Sequence, residues 1–124
     1  MSNRGDTARL AKVMKYIITI EHIVKRFRNT TETLQDIAGQ PALLMCLMQI
    51  GELLNRIHEE DLREKLEVRK IVAFRNILVH EYDSVLIDKV QTIIQQNLPE
   101  LKNKINKELE GESDYHELKK LWEI

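Results

Sequence analysis

Apolar residues recur every three or four positions along most of this chain, which is the spacing that places side chains on one face of an α-helix. The first such series runs from Leu10 to Phe27. We expect its helix to begin near Asp6 or Thr7, because either side chain can accept a hydrogen bond from the unpaired amides of a first turn. We expect this helix to end at about Arg28, before a polar break.

Polar breaks and glycines divide the middle of the chain into two further helices. Residues 29–31 (Asn-Thr-Thr) form a break and a new cap, and Gly39 is expected to end this short second helix. Pro41 suits the first position of a third helix, where the N–H that proline lacks would have no partner. Gly51 lies inside the third helix and costs about 1 kcal/mol relative to Ala. Either another backbone approaches closely at Gly51, or the helix tolerates the glycine.

The second half of the chain repeats the helical pattern in shorter segments. The expected segments are a turn and cap at 59–61, a weak helical turn at 62–66, a helix from Val68 through Leu78, a helix capped at Asp83 or Ser84 and interrupted at Leu98 and Pro99, and a helix stopped by Gly111. Residues 112–124 form a charged tail with an apolar stripe, which either packs on the bundle or docks on a partner. The sequence therefore predicts an all-α protein, an antiparallel bundle of four to five helices over residues 1–111 with a tail at 112–124.

Composition and charge agree with a helical domain, but they do not by themselves select a class of function. The 124 residues fit one domain, and an aromatic content of 5% weighs against strands. A net charge of −1 does not favour nucleic acid, but residues 1–30 carry seven Lys or Arg residues against two acidic ones. Such a positive face can bind phosphates; a solvated helix surface is the alternative.

The single cysteine, Cys46, lies in an apolar run and has no partner for an internal disulfide. It fits a small core residue in a reducing compartment. The sequence shows no signal-peptide pattern and no apolar run approaching the ~20 residues of a membrane span. We therefore expect a cytoplasmic protein without a membrane contact.

Common cofactor and metal motifs are missing from the sequence. There is no glycine-rich phosphate loop, no HExxH pair of histidines and no paired cysteine, and the four histidines have no metal-ligand spacing. We expect neither a metal nor a cofactor. His22 and His58 are most simply surface or partly buried residues of helices.

Polar residues capable of chemistry interrupt the apolar helix at residues 75–82. Asn76 lies one turn before His80, so their side chains can meet. Arg75 and His80 are five positions apart, about 140° around a helix. They cooperate more easily if the helix ends near His80, or if a twofold axis brings Arg75 of one subunit to His80 of another.

Arg, Asn and His supply what phosphodiester cleavage without a metal requires. His80 can take a proton from a ribose 2′-hydroxyl or give one to the leaving oxygen. Arg75 can hold the phosphate in a bidentate manner and stabilise the charge of the transition state. The alternative from chemistry alone is structural: Arg75 and Asn76 cap neighbouring helices, and His80 closes its own helix.

The same residues carry a resemblance to a known family. Arg75, His80 and Tyr82 match the R-x4-H-x-Y motif of HepT-like toxins of the HEPN superfamily (DUF86). Residues 49–52 (Gln-Ile-Gly-Glu) resemble the family's I-G-E helix. The stretch 78–83 is similar to its L-V-H-x-Y segment, and 98–101 to its closing L-P-x-L. The resemblance covers roughly residues 8 to 109.

The resemblance implies a homodimeric helical bundle that is a metal-independent endoribonuclease, with its cleft between subunits. Arg75 and His80 would be catalytic and Asn76 a supporting polar residue. Tyr82 would receive AMP from a cognate minimal nucleotidyltransferase antitoxin, which would neutralise the toxin. One departure concerns residues 66–68 (Leu-Glu-Val), where family members often have a Pro-Trp pair.

Two other functions fit the same residues. A non-catalytic HEPN module would use His80 and Tyr82 as a recognition surface for a nucleotidyltransferase or a nucleotide. A purely structural dimer would bury Arg75 and His80 in internal hydrogen bonds. Fold alone does not separate these functions from a nuclease, because function resides in sites.

Overall fold

Helices account for the regular secondary structure in the computed structural model, which describes residues 3–80 and 84–123. The all-α prediction is confirmed for these residues. The elements are α1 (Arg4–Arg26), α2 (Thr30–Gln35), α3 (Gly39–Asn55), α4 (Glu60–Lys65), α5 (Val68–His80), α6 (Ser84–Thr92), a π-helical turn (Ile93–Asn97), α7 (Leu98–Glu110) and α8 (Tyr115–Lys119).

Helix α1 starts and ends earlier than the sequence predicted. Its cap is Asn3, whose side-chain oxygen accepts a hydrogen bond from the amide of Asp6 at 3.0 Å. The predicted caps, Asp6 and Thr7, are therefore wrong, because both lie inside the first turns. At the other end, Arg28 adopts a left-handed backbone with φ of 78°. That conformation is incompatible with a continuing α-helix and ends α1 at Arg26.

The carboxylate of Asp6 has a different role from the predicted cap. Asp6 is 1% exposed and accepts hydrogen bonds from the backbone amides of His58 at 2.8 Å and Glu59 at 3.0 Å. Arg9 lies 3.2 Å from the same carboxylate. Asp6 therefore ties the beginning of α1 to the segment between α3 and α4, which places α1 and α3 antiparallel.

Gly39 begins α3, so the prediction that it ends α2 is wrong. The carboxylate of Asp36 accepts hydrogen bonds from the amides of Ala38 and Gly39, both at 2.8 Å, and so caps the chain just before the new helix. A β-carbon at Gly39 would lie 2.5 Å from the carbonyl oxygen of Thr33, which explains the glycine. Pro41 lies in the first turn of α3 but is not its first residue.

The chain from α6 to α7 is one helical path, and the interruption predicted at Leu98 and Pro99 is not observed. A proline ring crowds the carbonyl four residues earlier in a regular α-helix. The π-helical turn, with its wider hydrogen-bond pattern, lies at that point and lets the helix continue past Pro99. Gly111 ends α7, as predicted.

Helix α1 is central to the bundle and packs against α3 and α7. Glu21 pairs with Lys102 at 2.9 Å and Thr7 bonds Glu112 at 3.4 Å, so α1 and α7 are antiparallel. The core consists mainly of aliphatic side chains, of which the most deeply buried include Val13, Met14, Ile17, Ile20, Leu43, Ile50, Leu54, Val90, Ile105 and Leu109.

Helix α5 packs mainly against α3. A cavity of about 280 Å³ separates Ile71 and Phe74 of α5 from Leu98 and Leu101 of α7, and Leu47 and Ile50 of α3 also line it. The position of α5 therefore depends on its contact with α3, and that contact contains Arg75.

The C-terminal tail packs against the bundle. Trp122 is 4% exposed and belongs to the core. The Tyr115 hydroxyl donates a hydrogen bond to the side-chain oxygen of Asn106 on α7 at 2.9 Å. The apolar stripe noted in the sequence is thus largely used within the chain, although Leu121 remains 55% exposed.

Candidate functional site

The side-chain stem of Arg75 crosses α3 at Gly51. A β-carbon on Gly51 would lie 2.9 Å from Cβ of Arg75, 3.1 Å from Cγ and 3.2 Å from Cδ. The prediction that another backbone approaches Gly51 is therefore wrong in its detail: the packing is close, but the approaching atoms belong to the Arg75 side chain. Glycine at this position thus lets the arginine stem lie directly on α3.

Two side chains hold the guanidinium group of Arg75. Its Nη2 lies 2.8 Å from Oε2 of Glu52, and its Nη1 donates a hydrogen bond to Oδ1 of Asn76 at 3.2 Å. The side chain of Arg75 remains 30% exposed and that of Glu52 35% exposed. The group is therefore fixed at both of its terminal nitrogens and still accessible to a ligand.

Glu52 is shared between two arginines. Its Oε1 lies 3.3 Å from Nη2 of Arg56, one turn further along α3, while its Oε2 contacts Arg75. Two positive groups around one carboxylate leave a net positive charge at this point of the surface. Such a cluster is attractive to a phosphate group.

Sequence reasoning gave no role to Glu52, although it lies in the I-G-E segment that carried the resemblance. Its contact with Arg75 joins two helices that are separated by α4. No periodicity along one helix reveals such a pair. Glycine at the preceding position was the only available signal that α5 passes close to this turn of α3.

Uncovered apolar side chains surround the Arg75 and Glu52 pair. Val79 lies one turn after Arg75 on α5 and is 52% exposed; Met45 lies two turns before Glu52 on the same face of α3 and is 60% exposed. Partly buried Met48 and Val72 lie one turn before Glu52 and Arg75, respectively. Within residues 3–80 and 84–123, the polar cluster therefore lies beside exposed apolar side chains, Met45 on α3 and Val79 on α5.

The beginning of α5 is fixed by packing on both sides of Glu67. Leu66 and Val68 are 2% and 1% exposed, and Glu67 between them has a left-handed φ of 53°. A left-handed non-glycine residue costs roughly 1–2 kcal/mol, which the two buried neighbours offset. The Leu-Glu-Val sequence thus anchors α5 where family members often have Pro-Trp.

Two of the predicted site residues fall wholly or partly outside the described residues. His80 is the last residue of α5, but its side chain is not described, and Tyr82 lies in the undescribed segment 81–83. The structure thus brings together Arg75 and Asn76 with Glu52. The roles assigned to His80 and Tyr82 remain predictions.

In the part of the chain that the structure describes, other reactive groups give no competing site. Burial raises the pKa of the Cys46 thiol, which disfavours the nucleophilic thiolate at neutral pH. Among the described residues, no group of three or more His, Cys, Asp or Glu side chains is arranged to hold a metal ion. His22 and His58 are both exposed.

Comparison with known proteins identifies the family. A family model described as Ribonuclease HepT-like matches residues 13–108, which is most of the chain and includes Arg75, His80 and Tyr82. Neither the curated proteins nor the solved structures gave a match. Within residues 3–80 and 84–123, no helix has the length and apolar character needed to cross a membrane. On the strength of the match and the all-α bundle, this chain belongs to the HepT-like ribonuclease family.

Proposed function

We propose that this protein is a metal-independent endoribonuclease toxin that acts as a homodimer. The observation that carries the proposal concerns Arg75, whose guanidinium is held by Glu52 and Asn76 while its side chain remains 30% exposed. Arg75 also lies on the helix that ends at His80. An arginine prepared in this way is suited to binding the non-bridging oxygens of a phosphodiester. The family match supports RNA as the substrate.

The proposed reaction is transesterification of RNA. The ribose 2′-oxygen attacks the adjacent phosphorus as His80 removes its proton, and the bond from phosphorus to the 5′-oxygen breaks. A protonated imidazole returns a proton to that leaving oxygen, so the products are a 2′,3′-cyclic phosphate and a free 5′-hydroxyl. Arg75 stabilises the negative charge that develops on the phosphoryl oxygens.

The homodimer is proposed because one chain supplies an incomplete site. Five positions along a helix separate residues 75 and 80 by about 140°, which is a poor arrangement for two groups acting on one phosphate. A second copy related by a twofold axis supplies the missing group. The apolar strip around Arg75, which includes Met45 and Val79, is the surface that we propose the second copy covers.

Neutralisation of the toxin is proposed to occur at Tyr82. The phenolic oxygen of Tyr82 would attack the α-phosphorus of ATP, bound by a minimal nucleotidyltransferase antitoxin, and release pyrophosphate. The tyrosyl-AMP product places a negative phosphate and an adenine two residues from His80. It would compete with RNA for the site and pair with Arg75.

RNA cleavage in the presence of a metal chelator tests this proposal. We expect the wild-type protein to cut single-stranded RNA and His80→Ala to be slower by about 10² to 10⁴, the range for loss of a general acid or base. His58→Ala is a matched control, because that histidine is exposed and lies outside α5. Equal cleavage by the wild type and His80→Ala would refute the nuclease assignment.

The second candidate is a non-catalytic module that binds a nucleotidyltransferase or a nucleotide. One observation favours it: the charge of Arg75 is already paired with Glu52 at 2.8 Å. This candidate predicts tight binding of the partner by an unmodified protein that leaves every RNA intact. A purely structural role for Arg75 is less consistent with the partial exposure of its side chain.

A further inference from the structure

We infer that Glu52 is a positioning residue for Arg75 and sets the orientation in which the guanidinium meets a phosphate. This inference rests on the proposed function and adds to it a residue that does not touch the substrate itself. The starting observation is the contact of 2.8 Å between Oε2 of Glu52 and Nη2 of Arg75.

Three contacts together restrict the whole Arg75 side chain. The stem lies on α3, where only a glycine at position 51 leaves room for Cβ, Cγ and Cδ. Glu52 then holds Nη2 and Asn76 holds Nη1, which fixes the plane of the guanidinium. An arginine has five N–H donors, so those not used by Glu52 and Asn76 remain for the phosphate oxygens.

A carboxylate this close to a phosphate site also weakens the attraction for RNA. Arg56, at 3.3 Å from Oε1 of Glu52, offsets that negative charge. The arrangement keeps one net positive charge over three side chains, two arginines and one glutamate. Glu52 thus orients Arg75 while the cluster remains positive.

Steady-state RNA cleavage by two variants distinguishes the effect of Glu52 on the orientation of Arg75 from the effect of its negative charge. Glu52→Ala removes the contact, and we expect kcat to fall by about 10- to 100-fold with little change in KM, because a small misplacement of a catalytic group has effects of this size. Glu52→Gln keeps an oxygen of similar size and reach beside the guanidinium of Arg75 but removes the negative charge. We expect it to retain kcat within a few-fold of the wild type, with an equal or lower KM.

Glu108→Ala is the matched control. Glu108 forms an ion pair with Lys65 at 3.1 Å and its side chain is 36% exposed, close to the 35% of Glu52. We expect wild-type kcat and KM from this variant. A kcat for Glu52→Ala equal to that of Glu108→Ala, or a Glu52→Gln variant as slow as Glu52→Ala, would overturn the inference.

A second measurement does not depend on RNA cleavage. In nitrogen-15 NMR spectra, rotation of the Arg75 guanidinium should be slowed in the wild type and in Glu52→Gln and fast in Glu52→Ala, with Arg75→Lys identifying the signal. Fast rotation in the wild type would refute the positioning role. If the Arg75 guanidinium rotates slowly in the wild type but the protein cleaves no RNA, the positioning role stands and the proposed function is refuted.

Discussion

The stem of Arg75 lies so close to Gly51 that a β-carbon on the glycine would come within 2.9 Å of the arginine Cβ. This contact links the third and fifth helices at the point where the candidate site is formed. Cβ of Arg75 is fixed to the backbone of α5, so a larger residue at position 51 displaces the helix and not only a flexible side chain.

We therefore expect Gly51→Ala to destabilise the protein. Alanine in a helix interior is ordinarily favoured over glycine by about 1 kcal/mol, but overpacking at a helix contact typically costs 1–3 kcal/mol. The expected net result is a lower free energy of unfolding in urea, together with slower RNA cleavage.

The control for Gly51→Ala is Gly111→Ala. A β-carbon on Gly111 would meet its nearest atom at 3.6 Å, which is an ordinary contact, and the φ of −74° there suits alanine. We expect stability equal to or slightly above the wild type. If Gly51→Ala were also as stable as the wild type, the close packing of α5 on α3 would be contradicted.

Helix α5 shows what the sequence could predict and why. Its start at Val68 and its course through Leu78 follow from an apolar spacing that no glycine or proline disturbs, and the structure has a helix from Val68 to His80. By contrast, Gly39 was misassigned because glycine is common after helix ends. Here the carboxylate of Asp36 caps the following segment and Gly39 becomes the first residue of α3.

The candidate site is only partly predictable from the sequence, because one of its contacts depends on how two helices pack. Arg75 and Asn76 attracted attention because polar residues interrupt an apolar helix, and a family motif includes Arg75. Glu52 did not, because its contact with Arg75 depends on how α3 and α5 pack. That packing is set by tertiary contacts such as the close approach at Gly51.

The tail after α7 is expected to contribute to stability and not to catalysis. Trp122 is 4% exposed, and replacing a buried tryptophan with alanine typically costs 3–5 kcal/mol. Trp122→Ala should therefore lower the thermal unfolding temperature strongly. Below that temperature it should cleave RNA at the wild-type rate.

Leu121→Ala provides the comparison for the tail, because Leu121 is 55% exposed. We expect it to change the unfolding temperature little. Equal unfolding temperatures for Trp122→Ala and Leu121→Ala would show that the tail does not dock as described.

Tyr82→Phe is expected to separate RNA cleavage from its inhibition by AMP addition. Phenylalanine keeps the ring but lacks the hydroxyl that would accept AMP, so the variant should cut RNA and escape modification. Intact-protein mass spectrometry after incubation with ATP and the nucleotidyltransferase measures the adduct. An AMP adduct on Tyr82→Phe, at another residue, would show that Tyr82 is not the acceptor.

Mixing inactive subunits tests the central claim most directly, namely that Arg75 of one subunit acts with His80 of its partner. Arg75→Ala and His80→Ala homodimers should each be inactive. After unfolding and refolding together, mixed dimers should contain one site with both wild-type groups and regain RNA cleavage. If the mixed dimers form but stay inactive, each site is built from one chain, and the shared site between subunits is contradicted.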